Sequence, residues 1–403
     1  MDIKPGFPFW LVKNGILADF PKLTRNLEQE EVVIIGSGIS GALAAHELCS
    51  AGFKCTILDK RMLTSGTTWA STGQMSYEID PTMLQLSQQY NEAFAVGVYD
   101  ASLQALYDLK RAFQQAAINP GVESKSSLYL ASDKKGLKEI DAEYKLRTKH
   151  GFPVSYLDGR KLESEYGLQR RAALHHGHAA QMDTYRAAVG LILHHVIRQN
   201  LTVYTRTAVT SMEVSANKVV LVTEEGFRIK ARYVVCAPGN EAGMFLPKKV
   251  MSLYSTFALV TQPVPADLLW KDQCLIWETC RPYFYIRVAQ DNRLMMGGED
   301  MKFRKSKGMK DTLVARKAKS ILSQCRKLFP RIPVKPEFSW FGVIGETKDG
   351  LPYIGQFPGM KNVYFALGHG GNGTTFSMIA AQLIRNQICG KMDYRKKLFA
   401  FNR

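Results

Sequence analysis

Val32-Val33-Ile34-Ile35-Gly36-Ser37-Gly38-Ile39-Ser40-Gly41 decides the reading of this chain. Four β-branched apolar residues predict a short buried strand, and three glycines at G-x-G-x-x-G spacing predict a turn that opens directly into a helix. Gly36 serves the tight turn, Gly38 lets backbone approach a pyrophosphate, and Gly41 lets the helix lie close on the strand. The helix N-terminus, with Ser37, Ile39 and Ser40 around it, then faces the phosphates. Ala42, Ala44, Ala45 and Leu48 supply packing surface, Gly52 stands where a helix would end, and Cys55-Thr56-Ile57-Leu58-Asp59 reads as a second strand ending in an acid. Asp59 lies 21 residues after Gly38, where a carboxylate accepts ribose hydroxyls and repels a 2′-phosphate. NAD or FAD is therefore expected over NADP.

The 403 residues are enough for two or three structural units, and 46% hydrophobic content with 32 glycines and 16 prolines describes a globular chain. The opening Met1-Asp2-Ile3-Lys4-Pro5-Gly6-Phe7-Pro8 lacks the basic and apolar runs of a secretory leader, and no uncharged stretch is long enough for a membrane span. Seven cysteines without a C-x-x-C pair suggest reduced thiols and a cytoplasmic location. The net charge of +17 is concentrated in residues 134–149, 302–327 and 391–403. Within 309–329 the apolar residues recur at helical spacing and most basic ones lie off that stripe, as on a solvated face; an anionic partner such as nucleic acid is the sharper alternative.

Residues 62–80 read as a long hydroxyl- and glycine-rich loop, 81–118 and 184–200 as helical. Residues 201–204, 208–214, 218–223 and 227–229 read as short strands, with Tyr233-Val234-Val235-Cys236-Ala237 a buried strand ending at Pro238-Gly239. An antiparallel set is expected over 255–262, 283–288 and 294–296. Near the end, Tyr364-Phe365-Ala366-Leu367 runs through Gly368-His369-Gly370-Gly371-Asn372-Gly373-Thr374-Thr375 into a helix over 376–389. A helix start there offers free N–H groups to negative charge, such as that on the N1–C2=O edge of a reduced flavin. Two strand–glycine–helix units at opposite ends imply one discontinuous nucleotide-binding domain with a covering unit between. The expected architecture is α/β: a Rossmann-like domain with a central parallel sheet (1–80, 170–245 and 336–403), plus a substrate domain on a mostly antiparallel sheet (81–169 and 246–335).

These pieces together resemble the D-amino-acid oxidase superfamily of FAD-dependent oxidoreductases, with its glycine oxidase, sarcosine oxidase and γ-glutamylputrescine oxidase branches. The resemblance spans residues 31–390 and is carried by the fingerprint, the 61–74 loop, Val234-Val235-Cys236-Ala237-Pro238-Gly239, Asp349-Gly350-Leu351-Pro352-Tyr353-Ile354-Gly355 and the C-terminal glycine stretch. It implies FAD, with its pyrophosphate on Gly36 to Gly41, its ribose on Asp59, and Lys60 and Arg61 beside the adenosine. Gly66, Thr67, Thr68, Ser71, Thr72, Gly73 and Gln74 would wrap the pyrophosphate, ribityl chain and flavin edge. Val209 would meet the adenine, Ala237 and Gly239 would approach the nucleotide, and Gly342, Gly345 and the run from His369 through Gly370, Gly371, Asn372 and Gly373 to Thr374 would border the flavin.

Glycine oxidase-like members carry a carboxylate-clamping arginine five positions before the aspartate of the Asp-Gly-x-Pro turn; here that position is Ile344. The surrounding Trp340-Phe341-Gly342-Val343-Ile344-Gly345-Glu346-Thr347 is closer to the γ-glutamylputrescine oxidase branch. The position where sarcosine oxidases keep a lysine near the flavin aligns with Met295. The resemblance thus implies oxidation of a C–N bond of an amine or amino-acid-type substrate by hydride transfer to flavin N5. Tyr77, Tyr254, Tyr283, Tyr285, Trp277, Trp340 and His369 are candidates for the pocket, and Arg287 for a substitute clamp or a partner of Glu278 or Glu299. His369, Tyr285, Tyr77 and Arg287 are the candidate catalytic residues. No metal is expected, because the histidines do not fall at ligand spacing with acids or cysteines. Two other functions stay open: an FAD-dependent enzyme modifying tRNA, which the positive charge favours, and an FAD-binding protein without turnover.

Overall fold

The computed structural model describes residues 8–303 and 311–403; the N-terminal residues 1–7 and part of the basic 302–327 segment lie outside the described residues. The Val32–Ile35 run is the buried end of strand Leu27–Ile35, which pairs in parallel with Cys55–Leu58 on one side and Arg228–Cys236 on the other. Val363–Leu367 and Leu201–Tyr204 extend this into five parallel strands, ordered 363–367, 228–236, 27–35, 55–58, 201–204. Strands buried on both faces need continuous apolar runs, and Val363–Leu367 is buried at every position. Helix Ile39–Ser50 packs between Gly373–Ile388 and Thr184–Ile197, which explains why Ala42, Leu43, Ala44, Ala45 and Leu48 are all buried.

Arg228–Cys236 forms one strand where two segments were expected. One edge of it pairs in parallel with Leu27–Ile35 along its length, while the other pairs antiparallel with Val219–Thr223 over Arg228–Ala231 and parallel with Val363–Leu367 over Val234–Cys236. The helical stretch 81–118 is likewise two helices, Met83–Gln89 and Glu92–Gln115, because Asn91 leaves helical geometry and caps the second through Phe94 N.

Among the described residues, the second sheet has nine strands and is antiparallel except where Leu275–Glu278 runs beside Glu123–Leu130. Gln74–Ser76, Ala172–Gln181 and Pro336–Glu346 belong to it by backbone hydrogen bonding, although the division drawn from sequence put these segments in the nucleotide-binding unit. Gln74–Ser76 pairs with Ala172–Gln181 and Pro336–Glu346 with Ser252–Pro263, partners far apart in the chain, so segment order alone does not reveal which ladder each joins. Helix Asp311–Leu328 lays Val314, Ala318, Ile321, Leu322 and Cys325 against this sheet. No helix among the described residues is long and apolar enough to cross a membrane.

Candidate active site

The fingerprint glycines do what their positions require. Gly36 has φ +103°, and a Cβ there would lie 2.9 Å from the carbonyl carbon of Ala237. A Cβ on Gly41 would overlap the Gly36 carbonyl oxygen, so this helix sits against its strand at a distance only glycine permits. Gly38 ends at the helix start, where Ile39 N–H donates to Thr68 Oγ1 at 2.9 Å. Asp59 closes the turn from the next strand: its Oδ2 accepts from Ser37 N at 2.8 Å and Ser37 Oγ at 2.6 Å, and its Oδ1 from Arg61 N at 2.8 Å. Burial raises the Asp59 pKa, and these hydrogen bonds oppose the rise. Lys60 and Arg61 both reach Glu241, at 2.5 and 3.1 Å.

A continuous cleft runs from this turn to the second sheet. Its outer part is lined by Gly36, Gly38, Asp59, Lys60, Arg61, Gly66 and Val209, with Ala237 and Gly239 opposite. Ile39, Ser40, Thr67 and Thr68 are shared with the inner part. There Ser71, Thr72, Gln74, Gly342, Gly345 and the stretch from His369 to Thr374 form the wall. The two glycine–helix units, more than three hundred residues apart, therefore border one cavity. Gly73 is set back, its φ of +72° bringing it against the Met182 carbonyl.

His369 is the most informative of these. Its Nδ1 lies 3.5 Å from Ser40 Oγ and 3.4 Å from Ser377 Oγ, while Nε2 is shut off from solvent without a partner. Burial pulls its pKa down to about 4, so the imidazole is neutral at neutral pH. Gln74 Nε2 is likewise buried and unpartnered on the same wall. A glycine cradle that side chains would fill, a helix N-terminus and two orphaned polar nitrogens fit an elongated dinucleotide with a polar ring system.

The C-terminal helix start does face negative charge, but part of that charge is the protein's own. Asp80 Oδ2 accepts from Gly371 N at 3.1 Å, Asp80 N donates to Asn372 Oδ1 at 3.0 Å, and Asn372 Nδ2 donates to Glu78 O at 3.3 Å. These bonds tie the glycine loop to the strand end at residues 78–80.

The aromatic candidates divide by strand parity. Tyr283, Tyr285 and Trp277 line the cavity. Gln74, Ser76 and Glu78 point into it, so Tyr77, on the opposite face of the same extended segment, points away. Its hydroxyl donates to Pro153 O at 2.9 Å and its ring packs on Phe152 and His176. Trp340 is fully buried, donating to Ala70 O, and Tyr254 lies in strand Ser252–Pro263 off the cavity wall. Arg287 is turned beneath the 71–74 loop. Its Nε donates to Thr72 O at 2.6 Å, Nη2 has no partner, and burial lowers its pKa to about 10. Glu278 instead takes Arg170, and Glu299 takes Lys317. Met295 is buried in the sheet.

Several site residues had no sequence signal because they converge from distant segments. Glu78 lies beneath the cavity, accepting from Arg147 Nη1 at 2.5 Å, Ser127 Oγ at 3.0 Å and Trp277 Nε1 at 3.1 Å, with His176 Nε2 at 2.9 Å; burial opposes its ionisation, but His176 and Arg147 prevail and hold its pKa far down. Asp80 lines the cavity, and Asp300 and Glu346 belong to the same electrostatic group. Burial, followed by mutual repulsion, pushes Glu346 up to about 7; burial raises Asp300 to about 6 against a hydrogen bond from Thr256. Among the described residues, no three His, Cys, Asp or Glu side chains are grouped to hold a metal.

The model of the family described as FAD-dependent oxidoreductases matches residues 31–387. The chain belongs to that family. It is an enzyme, and its cofactor is FAD. Among curated relatives, a γ-glutamylputrescine oxidoreductase of Escherichia coli is 25% identical over 381 residues, covering 90% of this chain and 84% of that protein. A glycine oxidase of Geobacillus kaustophilus is 25% identical over 377 residues, covering 89% and 92%. Among solved structures, an L-proline dehydrogenase from P. horikoshii aligns with a TM-score of 0.78 at 17% identity, covering 93% of this chain and 97% of that one. The glycine oxidase structure from Geobacillus kaustophilus aligns at 0.77 and 21%, covering 91% and 96%. These likenesses establish the two-sheet fold of this FAD-dependent oxidoreductase.

Proposed function

We propose that this oxidoreductase oxidises a carbon–nitrogen bond of a small amine. The observation that carries the reading is the lining of the inner cavity: Trp277, Tyr283 and Tyr285 form an aromatic wall, Ile344 lines the cavity where a carboxylate-clamping arginine would stand, and Arg287 is engaged with a backbone carbonyl. A glycine oxidase and a γ-glutamylputrescine oxidoreductase among the relatives support C–N oxidation as the reaction class.

Bound FAD supplies the two-electron acceptor. Gln74 and the His369 Nε2 edge would orient it, and the glycine turn at residues 36–41 would hold its pyrophosphate. The aromatic wall would exclude water from the reacting carbon. A cytoplasmic location goes with this reading, supported by the free thiols.

The decisive experiment is anaerobic mixing of the yellow holoenzyme with a panel of primary, secondary and N-methylated amines and D- and L-amino acids. Loss of flavin absorbance with amines, at lower concentrations than with any amino acid, is expected. Bleaching by amino acids alone would overturn the reading, as would a flavin that dithionite reduces but no member of the panel does.

A further inference from the structure

We infer that the substrate of this cavity carries a second positive charge remote from the reacting nitrogen, and that Asp80, grouped with Asp300 and Glu346, selects for it. The inference rests on the amine-oxidising reading and adds the chemistry of the substrate's far end, placing α,ω-diamines and longer polyamines above monoamines and amino acids.

Three observations carry it. The cavity wall presents the carboxylate of Asp80 among the rings of Trp277, Tyr283 and Tyr285, and aromatic faces with a carboxylate are what an ammonium group prefers on leaving water. Among the described residues, the nearby cations do not neutralise that carboxylate by direct contact. Arg281 stacks over Tyr283 at 4.7 Å and reaches the backbone oxygen of Asp80 at 3.5 Å, and Arg287 is held by Thr72. Finally, Asp300 Oδ1 is closed off from solvent and accepts no hydrogen bond. A buried carboxylate oxygen in that condition costs free energy that a nearby cation recovers.

Among the described residues, Arg281 is the guanidinium that acts on Asp80, Asp300 and Glu346 alike, and Lys317 acts on Asp300 as well. Burial raises all three pKa values, and repulsion from Asp80 adds to the rise at Asp300 and Glu346. An incoming ammonium relieves the repulsion. An incoming carboxylate adds to it.

The test uses three substrates of equal length with the anaerobic holoenzyme: 1,5-diaminopentane, pentylamine and 5-aminopentanoate. The diamine is expected to bleach the flavin with a specificity constant about a hundredfold above the monoamine, with the aminocarboxylate slowest. Asp80→Asn should shrink the diamine-to-monoamine ratio below about tenfold, and Glu346→Gln should shrink it less. Because Asp80→Asn also loses its bond from Gly371 N–H and could fail to fold, wild-type protein is titrated separately with bis-trimethylammonium pentane and trimethylpentylammonium, following the flavin spectrum. The bis-cation should bind at least tenfold more tightly. Equal rates for diamine and monoamine, or a faster aminocarboxylate, would overturn the inference while leaving amine oxidation intact. If no amine bleaches the flavin but the bis-cation still binds preferentially, the reaction class falls and the cation site stands; if neither occurs, both fall.

Discussion

Among the glycines of the described residues, Gly41 leaves the least room for a Cβ, against the Gly36 carbonyl, and Gly41→Ala tests whether that contact governs cofactor binding. The added methyl would overlap the Gly36 oxygen, lie 3.0 Å from its carbon and 3.5 Å from Ile34 Cγ2. None of these can rotate aside, since two are backbone and Ile34 is fully buried. Helix Ile39–Ser50 must then slide outward, against helices Gly373–Ile388 and Thr184–Ile197 that hold its other faces. Overpacking of this kind costs about 1–3 kcal/mol, and backbone overlap puts it at the upper end. The same displacement moves the helix N-terminus off the pyrophosphate position. At about 1.4 kcal/mol per factor of ten, a loss of about 3 kcal/mol in binding corresponds to FAD affinity weaker by roughly two orders of magnitude. The assay is FAD affinity by flavin fluorescence quenching on refilling apoprotein, with thermal unfolding alongside. Gly177→Ala is the control: Gly177 sits in strand Ala172–Gln181 with nothing within 4 Å of an added Cβ, so a change within about 0.5 kcal/mol is expected. If Gly41→Ala binds FAD as tightly as the control does, the argument from close helix approach is refuted.

Acid should weaken the fold through the buried pair His46 and His195, whose ring nitrogens lie 3.1 Å apart beside His194 and Arg198. Both pKa values are depressed from 6.5 to about 4, chiefly by burial, so the stabilisation is present above pH 6.5 and lost as pH falls toward 4. It amounts to about 3 kcal/mol for one imidazole; denaturant curves at pH 7 and 5 should show the loss, and a His46→Leu variant should show a shallower one. Glu78→Ala takes from Arg147, 0% exposed, one of its two carboxylate partners, leaving Glu143, and takes from His176 its carboxylate; a cost of about 3 kcal/mol, the lower end for a broken buried pair, is expected, and a melting temperature within 2 °C of wild type would rule it out. Glu346, raised to about 7, has the opposite sign from the histidines. Its contribution favours the fold below its ordinary carboxylate range and is lost as pH rises through about 7, and a bound cation reverses the preference. Affinity for bis-trimethylammonium pentane should therefore rise between pH 6 and 8, and a flat profile would contradict the assignment.

What could be read from sequence was whatever a local pattern encodes. The fingerprint, the Asp59 strand end and the glycine-rich start of the last helix announce themselves through spacing, and all border the cleft. Tyr77 and Arg287 looked equivalent to Tyr285 because their segments carry no mark of which face is which until the partner strand and the 71–74 loop are in place. Asp80, Asp300 and Glu346 lie in three separate segments with no shared spacing; Asp300 and Glu346 sit on the two strands that flank Ser252–Pro263, and only the assembly of the second sheet makes neighbours of them. The sheet membership of 336–346 is of the same kind: its pairing with Ser252–Pro263 is a long-range choice.

The pairing of Val363–Leu367 with Arg228–Cys236 also bears on how the protein is made. A ribosome that has released the first 360 residues has delivered the whole fingerprint, yet residues 234–236 still lack the neighbour that Val363, Tyr364 and Phe365 provide. Helix Ile39–Ser50 likewise waits for Gly373–Ile388. During that interval the emerging chain displays an open strand edge and an uncovered apolar helix face, the features that invite aggregation and chaperone capture. The inner cleft therefore needs the stretch from Ala366 to Thr374, and arrest of translation before it yields a chain that carries the nucleotide signature without that wall.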